Sequence, residues 1–167
     1  MKKRVLILCT GNSCRSQMAE GVLRHYGGSQ YEVFSAGTKP SSVNSIAIQV
    51  MKEIGIDISG HRSKHVDEFK GQTFDYVITV CDNASKSLSS FYQRRLGQSW
   101  FPFRFKLMKT MAKESCPFFP GNTKRLHWEF PDPPHDKEIT ESVIEEFRKV
   151  RDMIRAKFKT AAEEGFE

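Results

Sequence analysis

Between Val5 and Gly21 the chain reads VLILCTGNSCRSQMAEG, and no other stretch limits its fold so closely. Lys3 to Cys9 centres on an unbroken apolar run of the kind buried on both faces inside a parallel sheet. From Ser16 to Tyr26 the period changes. Met18, Ala19, Val22 and Leu23 fall on one helical face, and Gly27-Gly28 ends it. A strand that turns into a helix within half a dozen residues is the first half of a βαβ unit.

The remaining elements follow the same alternation. YEVFSAG, Tyr31 to Gly37, reads as a second strand, and Ile46 to Ile54 as a second helix stopped by Gly55. Phe74 to Val80 is a third strand, and TKRLHWEF a weaker fourth. From Ile139 onward, Val143, Phe147, Val150, Ile154, Phe158 and Ala161 step by three or four, which predicts a long amphipathic helix. The pattern predicts an α/β fold: a four-stranded parallel sheet with helices on both faces, in one domain spanning 1–167. The charged start MKKR is followed by too short an apolar run for a signal peptide, and no run approaches the roughly 18 apolar residues of a membrane span. A cytoplasmic protein is expected, in which the 4 cysteines do not form a structural disulfide framework. No pair is spaced C-x-x-C, so no zinc site is expected, and none of His61, His65 and His127 has a ligand partner at metal spacing.

The turn itself carries chemistry. Cys9 and Arg15 bracket Thr10, Gly11, Asn12, Ser13 and Cys14, a C-x5-R loop. Such a loop can curl so that successive N–H groups converge on a tetrahedral oxyanion, helped by the positive end of the helix that follows. Gly11 and Asn12 accept backbone angles that other residues resist. Arg15 offers a planar fork for two anion oxygens. A thiol at the base of that cradle has its pKa lowered, so Cys9 is the expected nucleophile, with Ser16 donating to the thiolate. The competing reading takes Cys9 as a buried strand-end cysteine and Arg15 as a surface charge.

With these residues the chain resembles the low-molecular-weight tyrosine phosphatase fold, and within it the thioredoxin-coupled arsenate reductases. The likeness extends through SAGT, GIDISGHRS, DYVITVCDNA, CPFFPG and HWEFPDP. It implies that Cys9 attacks arsenate, that Cys81 then attacks Cys9 and releases arsenite, and that Cys116 carries the disulfide to a surface where thioredoxin, or a similar thiol, reduces it. It also implies that Asp132 is the acid protonating the leaving oxygen, and that Thr10 to Arg15 form the oxyanion site. Cys14 matches a cysteine of mainly structural role that can also trap an oxidised Cys9. Pro134 and His135 follow Asp132-Pro133, where phosphatases have the aromatics that grip phosphotyrosine. Trp128 and Phe130 are expected to pack beneath this loop rather than bind a cofactor, and no cofactor is implied.

Two departures from the family stand out. Cys81 and Cys116 have 34 residues between them, where the family has about six; removing Leu88 to Ser115 leaves VCDNASKSCPFFPG. Lengthening a flexible loop this way costs only about 1.4 kcal/mol of closure entropy, whereas a rigid insert holding the two thiols beyond about 7 Å would block the relay. Between Leu88 and Lys113 lie Arg94, Arg95, Arg104, Lys106, Lys109 and Lys113 with no acid, matching the whole chain's +6 charge, interleaved with aromatics such as Phe91, Tyr92 and Trp100. That insert suits packing on its own domain, docking a partner or second copy, or binding nucleic acid or an anionic membrane. The second departure is Lys64. Potassium-binding members of the family have aspartate there, and Asn12, Glu20 and Ser35 match the rest of that ion site; the lysine ammonium is expected to replace the ion, with no potassium dependence. Three functions therefore compete: an arsenate reductase, a phosphatase hydrolysing a Cys9 phosphoenzyme, and an anion-sensing or nucleic-acid-binding module with a basic arm.

Overall fold

The structure is a computed structural model, and it describes residues 1–80, 122–134 and 138–166. Four parallel strands form one sheet in the order β2-β1-β3-β4, with β1 at Lys3–Cys9, β2 at Tyr31–Gly37, β3 at Tyr76–Thr79 and β4 at Lys124–His127. Helix α1 spans Arg15–Gly27, α2 spans Ser45–Glu53 and α3 spans Glu141–Glu164, and a 3-10 turn runs over Val66–Phe69. Strand β1 is hydrogen-bonded on both sides, so Val5, Leu6, Ile7 and Leu8 are all buried, as an apolar run on both alternations requires.

Both faces of the sheet are covered. Ser35 reaches Glu20 of α1, so α1 lies on the face of the odd-numbered β2 residues. On the other face, Phe34 packs edge-on against Phe69 of the 3-10 turn and against Phe74. Helix α3 buries Val143, Phe147, Val150, Ile154, Phe158 and Ala161, the stripe expected from the sequence. It begins at Glu141 with Thr140 as its cap, and Ile139, expected to open the stripe, is exposed just outside it. Buried Arg151 ties α3 to α2 through Val50 O at 3.0 Å and Glu53 at 2.9 Å.

The third and fourth strands are shorter than the sequence predicts. Phe74 is taken up by the Phe34 and Phe69 rings before β3 starts. Beyond β4, the Trp128 N–H still donates to Thr79 O, but its ring turns onto Phe158 and Phe166 of the α3 end. Phe130 also stacks on Phe158, so both aromatics are packing residues beneath the Asp132 segment, as expected. No helix among the described residues is long and apolar enough to cross a membrane. Cys81, Cys116 and the insert 88–115 lie outside the described residues.

Candidate active site

In open parallel sheets, ligands bind beyond the carboxyl ends of the strands where the winding direction reverses. Here that point is the end of β1, which lies between β2 and β3. Cys9 is the last residue of β1, is buried, and pairs with Gly37 at the end of β2. The loop from Thr10 to Cys14 then enters α1.

The loop's carbonyls are all tied outward. Thr10 O accepts from Lys39 N, Gly11 O from Ser41 N and Ser13 O from Asn44 N, each at 2.9 Å. Asn12 O accepts from Gln17 Nε2 at 3.0 Å and from the Ser63 hydroxyl at 2.5 Å. With the carbonyls held away, the N–H sides of these peptides face the concave side, and that of Asn12 donates to Cys9 Sγ at 3.1 Å. Helix α1 has no acidic residue in its first turn and no side-chain cap, which suits an anion at its amino end.

Asn12 is the pivot. Its φ of 45° is the one positive value at a non-glycine residue among the described residues. Its buried side chain is fully used: Oδ1 accepts from Lys64 N at 2.8 Å and Gln17 Nε2 at 3.0 Å, while Nδ2 donates to Ser16 Oγ at 3.0 Å and Ser35 Oγ at 2.8 Å. The backbone donor at Lys64 fixes which end of the amide is which. Ser16 Oγ, which accepts from Asn12, also lies 3.0 Å from Cys9 Sγ and donates to it once Cys9 is a thiolate. Ser35 Oγ likewise passes its proton to Glu20 Oε2.

Asp132 closes the other side. Its Oδ1 lies 2.9 Å from Arg15 Nη2, and Arg15 Nη1 donates to Phe130 O at 3.0 Å, so one guanidinium holds the segment after β4 over the loop. Cys9, Thr10, Gly11, Ser13 and Asp132 line a cavity of about 640 Å³, whose far wall is the Ser41–Ser45 stretch. Cys14 lines it too; burial pushes its thiol up to about 12, Asp132 adds to the rise and Arg15 opposes it.

A family model settles what this arrangement belongs to: that of the low molecular weight phosphotyrosine protein phosphatases matches residues 4–164. The chain belongs to that family. It is 39% identical to an arsenate reductase of Halalkalibacterium halodurans over 164 residues, 98% of each chain. Among solved structures it is similar to an arsenate reductase in the phosphate binding state, with TM-score 0.64, 27% identity, and 99% of this chain and 100% of that one covered. It also resembles a low molecular weight protein tyrosine phosphatase from T. tengcongensis, with TM-score 0.64, 26% identity, and coverage of 97% and 99%.

The structure brings Cys9, Arg15, Ser16 and Asp132 together around the start of α1. Asn12 takes the left-handed backbone that the sequence suggested, and its side chain faces the buried network with Ser35 and Lys64 rather than the cavity. Sequence reasoning missed Gln17, Ser63 and the carbonyl of Phe130, because a loop's outward ties use main-chain groups and neutral side chains that advertise no chemistry. It also missed Gly37, where a Cβ would lie 2.5 Å from Thr10 O. The histidines hold structure. His61 Nδ1 lies 3.0 Å from Gln17 Oε1, His65 caps the 3-10 turn and reaches Thr38 O, and His127 meets Thr79 Oγ1 at 2.7 Å.

Proposed function

We propose that this protein is an arsenate reductase that works through Cys9, Cys81 and Cys116. The observation that carries the reading is Cys9 Sγ, which accepts from the Asn12 N–H and lies within hydrogen-bond reach of the Ser16 hydroxyl inside a loop whose carbonyls are tied outward. Donors of this kind favour the thiolate and leave a concave face for a tetrahedral oxyanion. The 39% identity to a relative named arsenate reductase supports arsenate as the oxyanion.

Arsenate binds with its oxygens on the loop amides and Arg15. The Cys9 thiolate attacks arsenic, and Asp132 protonates the oxygen that leaves as water. A Cys81 thiolate then attacks Cys9 Sγ; the sulfur–arsenic bond breaks, its electron pair stays on arsenic, and arsenite departs. Cys116 attacks Cys81 Sγ, which releases Cys9 as thiolate and leaves a Cys81–Cys116 disulfide for thioredoxin or a similar dithiol to reduce. Val80, the last described residue before Cys81, donates its N–H to Leu8 O at the end of β1. The pathway needs no metal or organic cofactor.

A phosphatase is the second reading, favoured by the family itself and by the likeness to the T. tengcongensis enzyme. Water would then hydrolyse a Cys9 phosphoenzyme, and neither Cys81 nor Cys116 would be needed. The deciding assay follows NADPH consumption with thioredoxin and thioredoxin reductase, with and without arsenate, for wild type and Cys116→Ser. Arsenate-dependent turnover that disappears in the variant is expected. Absence of turnover in wild type, alongside steady aryl phosphate hydrolysis, would replace the reductase by the phosphatase.

A further inference from the structure

Behind the oxyanion loop lies a carboxylate with little reason to be buried. Glu20, on α1, is 1% exposed, and its two oxygens have different partners. Oε1 pairs with Arg24 at 2.7 Å on the outer side. Oε2 accepts the Ser35 hydroxyl and faces Lys64 Nζ at 3.5 Å. A buried carboxylate is held in its charged form only by opposing charge and hydrogen bonds. The oxygen that directs Ser35, and through Ser35 the Asn12 amide, is therefore the one that Lys64 neutralises.

Lys64 grips this network at three points. Its N–H donates to Asn12 Oδ1 at 2.8 Å, its carbonyl accepts from Gly37 N at 2.9 Å, and its ammonium lies between Glu20 and the Arg62 carbonyl, 3.0 Å away. The side chain is 12% exposed, so the charge is mostly enclosed. These residues do not fit a resident potassium ion: the Asn12 oxygen is turned to Lys64 N and Gln17 Nε2, and the positive charge beside Glu20 is already present as an ammonium.

We propose that Lys64 is a positioning residue of the oxyanion loop, a tethered cation whose charge on Glu20 keeps the Glu20–Ser35–Asn12–Ser16 chain ordered and so keeps the loop's donors aimed at the bound oxyanion. The proposal rests on the reading that the 9–15 loop binds a tetrahedral oxyanion. A removed ammonium can be replaced from solvent, because a cleft of about 440 Å³ lined by Glu20, Gly60, His61, Arg62 and Lys64 opens onto the site.

The test titrates inorganic phosphate calorimetrically into wild type and Lys64→Ala, in choline chloride and in potassium chloride of equal ionic strength. Wild type is expected to bind phosphate equally in both salts. The variant binds about tenfold more weakly in choline, and potassium restores most of the loss; by linkage, phosphate tightens the variant's hold on potassium by the same factor. Equal binding by wild type and variant in choline overturns the proposal. So does a loss that potassium, sodium and methylammonium all fail to repair, which would mark Lys64 as merely structural. Lys64→Met keeps the stem without the charge and serves if the alanine variant does not fold; failure of both to fold in either salt also overturns the proposal. Phosphate binding is read without turnover, so a failure of arsenate reduction leaves this result standing, whereas a wild type that binds no phosphate refutes the reading of the loop itself.

Discussion

Replacing Gly37 by alanine should damage the site more than any other single methyl group added in the described structure. A Cβ there would lie 2.5 Å from Thr10 O, 2.9 Å from Asn12 N and 3.1 Å from Asn12 Cβ, and all three are parts of the oxyanion loop. Two of the atoms are main chain, so no side-chain rotation relieves the clash. The loop must retreat from Gly37 by at least 0.5 Å to bring the shortest contact to 3.0 Å. That movement pulls on the Lys39–Thr10 bond and on Asn12 at its positive φ. Overpacking of this kind costs about 1–3 kcal/mol, which lowers Tm by roughly 4–8 °C at the middle of that range for a chain of this size. Displacing donors by a good fraction of an ångström costs roughly ten- to a hundredfold in rate. The assay pairs thermal unfolding with arsenate-dependent NADPH consumption and with aryl phosphate hydrolysis, since both reactions use the same loop. Gly60→Ala is the control, because nothing lies within 4 Å of a Cβ at that position. Wild-type rates and Tm in Gly37→Ala would refute the claim that this close approach sets the loop.

Two further outcomes follow from the titrating groups. Cys14, buried and raised to about 12 chiefly by that burial, is about one part in ten thousand thiolate at pH 8; peptide-resolved mass spectrometry after iodoacetamide treatment should find Cys9 alkylated, protected by phosphate, and Cys14 unmodified, and comparable labelling of both would contradict this. His61 is held below its ordinary value of 6.5 by burial, with Arg24 and Lys64 reinforcing the shift and Glu20 and Asp57 opposing it. As pH falls through 6.5 the unfolded chain takes up a proton that folded His61 does not, so stability declines from there toward the lower folded pKa and is unaffected by this group above 6.5. His61→Asn should flatten the acid side of a urea-midpoint profile between pH 7 and 5, and an unchanged profile would rule out His61 as a contributor.

The parts of the molecule legible in the sequence are those with a period or a dense motif. Strand β1 shows itself because both its faces are buried, and α3 because six apolar positions keep helical step over its length. The Cys9–Arg15 loop is legible because thiol, glycine, asparagine and arginine crowd into one turn. Lys64 and Glu20 lie 44 residues apart, and without the family resemblance nothing in their spacing would pair them; only the fold brings β2, α1 and the segment before the 3-10 turn to one point. Gly37 closes SAG at a strand end, a place where glycine is common enough to carry no message. The outward ties from Lys39, Ser41 and Asn44 are made by amide groups every residue but proline possesses, so no residue type could have betrayed them.

Those same ties have a consequence for how this scaffold can be retargeted. The far wall of the cavity supports the loop through the main-chain N–H groups of Lys39, Ser41 and Asn44. Pro40, which has no N–H to give, stands between two of these donors, where none is required of it. Side chains at 41–43 and 45 can therefore be exchanged for larger or charged ones, proline at 41 excepted, without disturbing the main-chain hydrogen bonds that keep the loop open. Asn44 is kept, because its side chain caps α2 at Ile46 N and Ala47 N. Recognition of what enters the mouth and the chemistry at its base are carried by separable parts of the chain, so diversifying this one short segment is a route to new oxyanion-bearing substrates on an unchanged reaction centre.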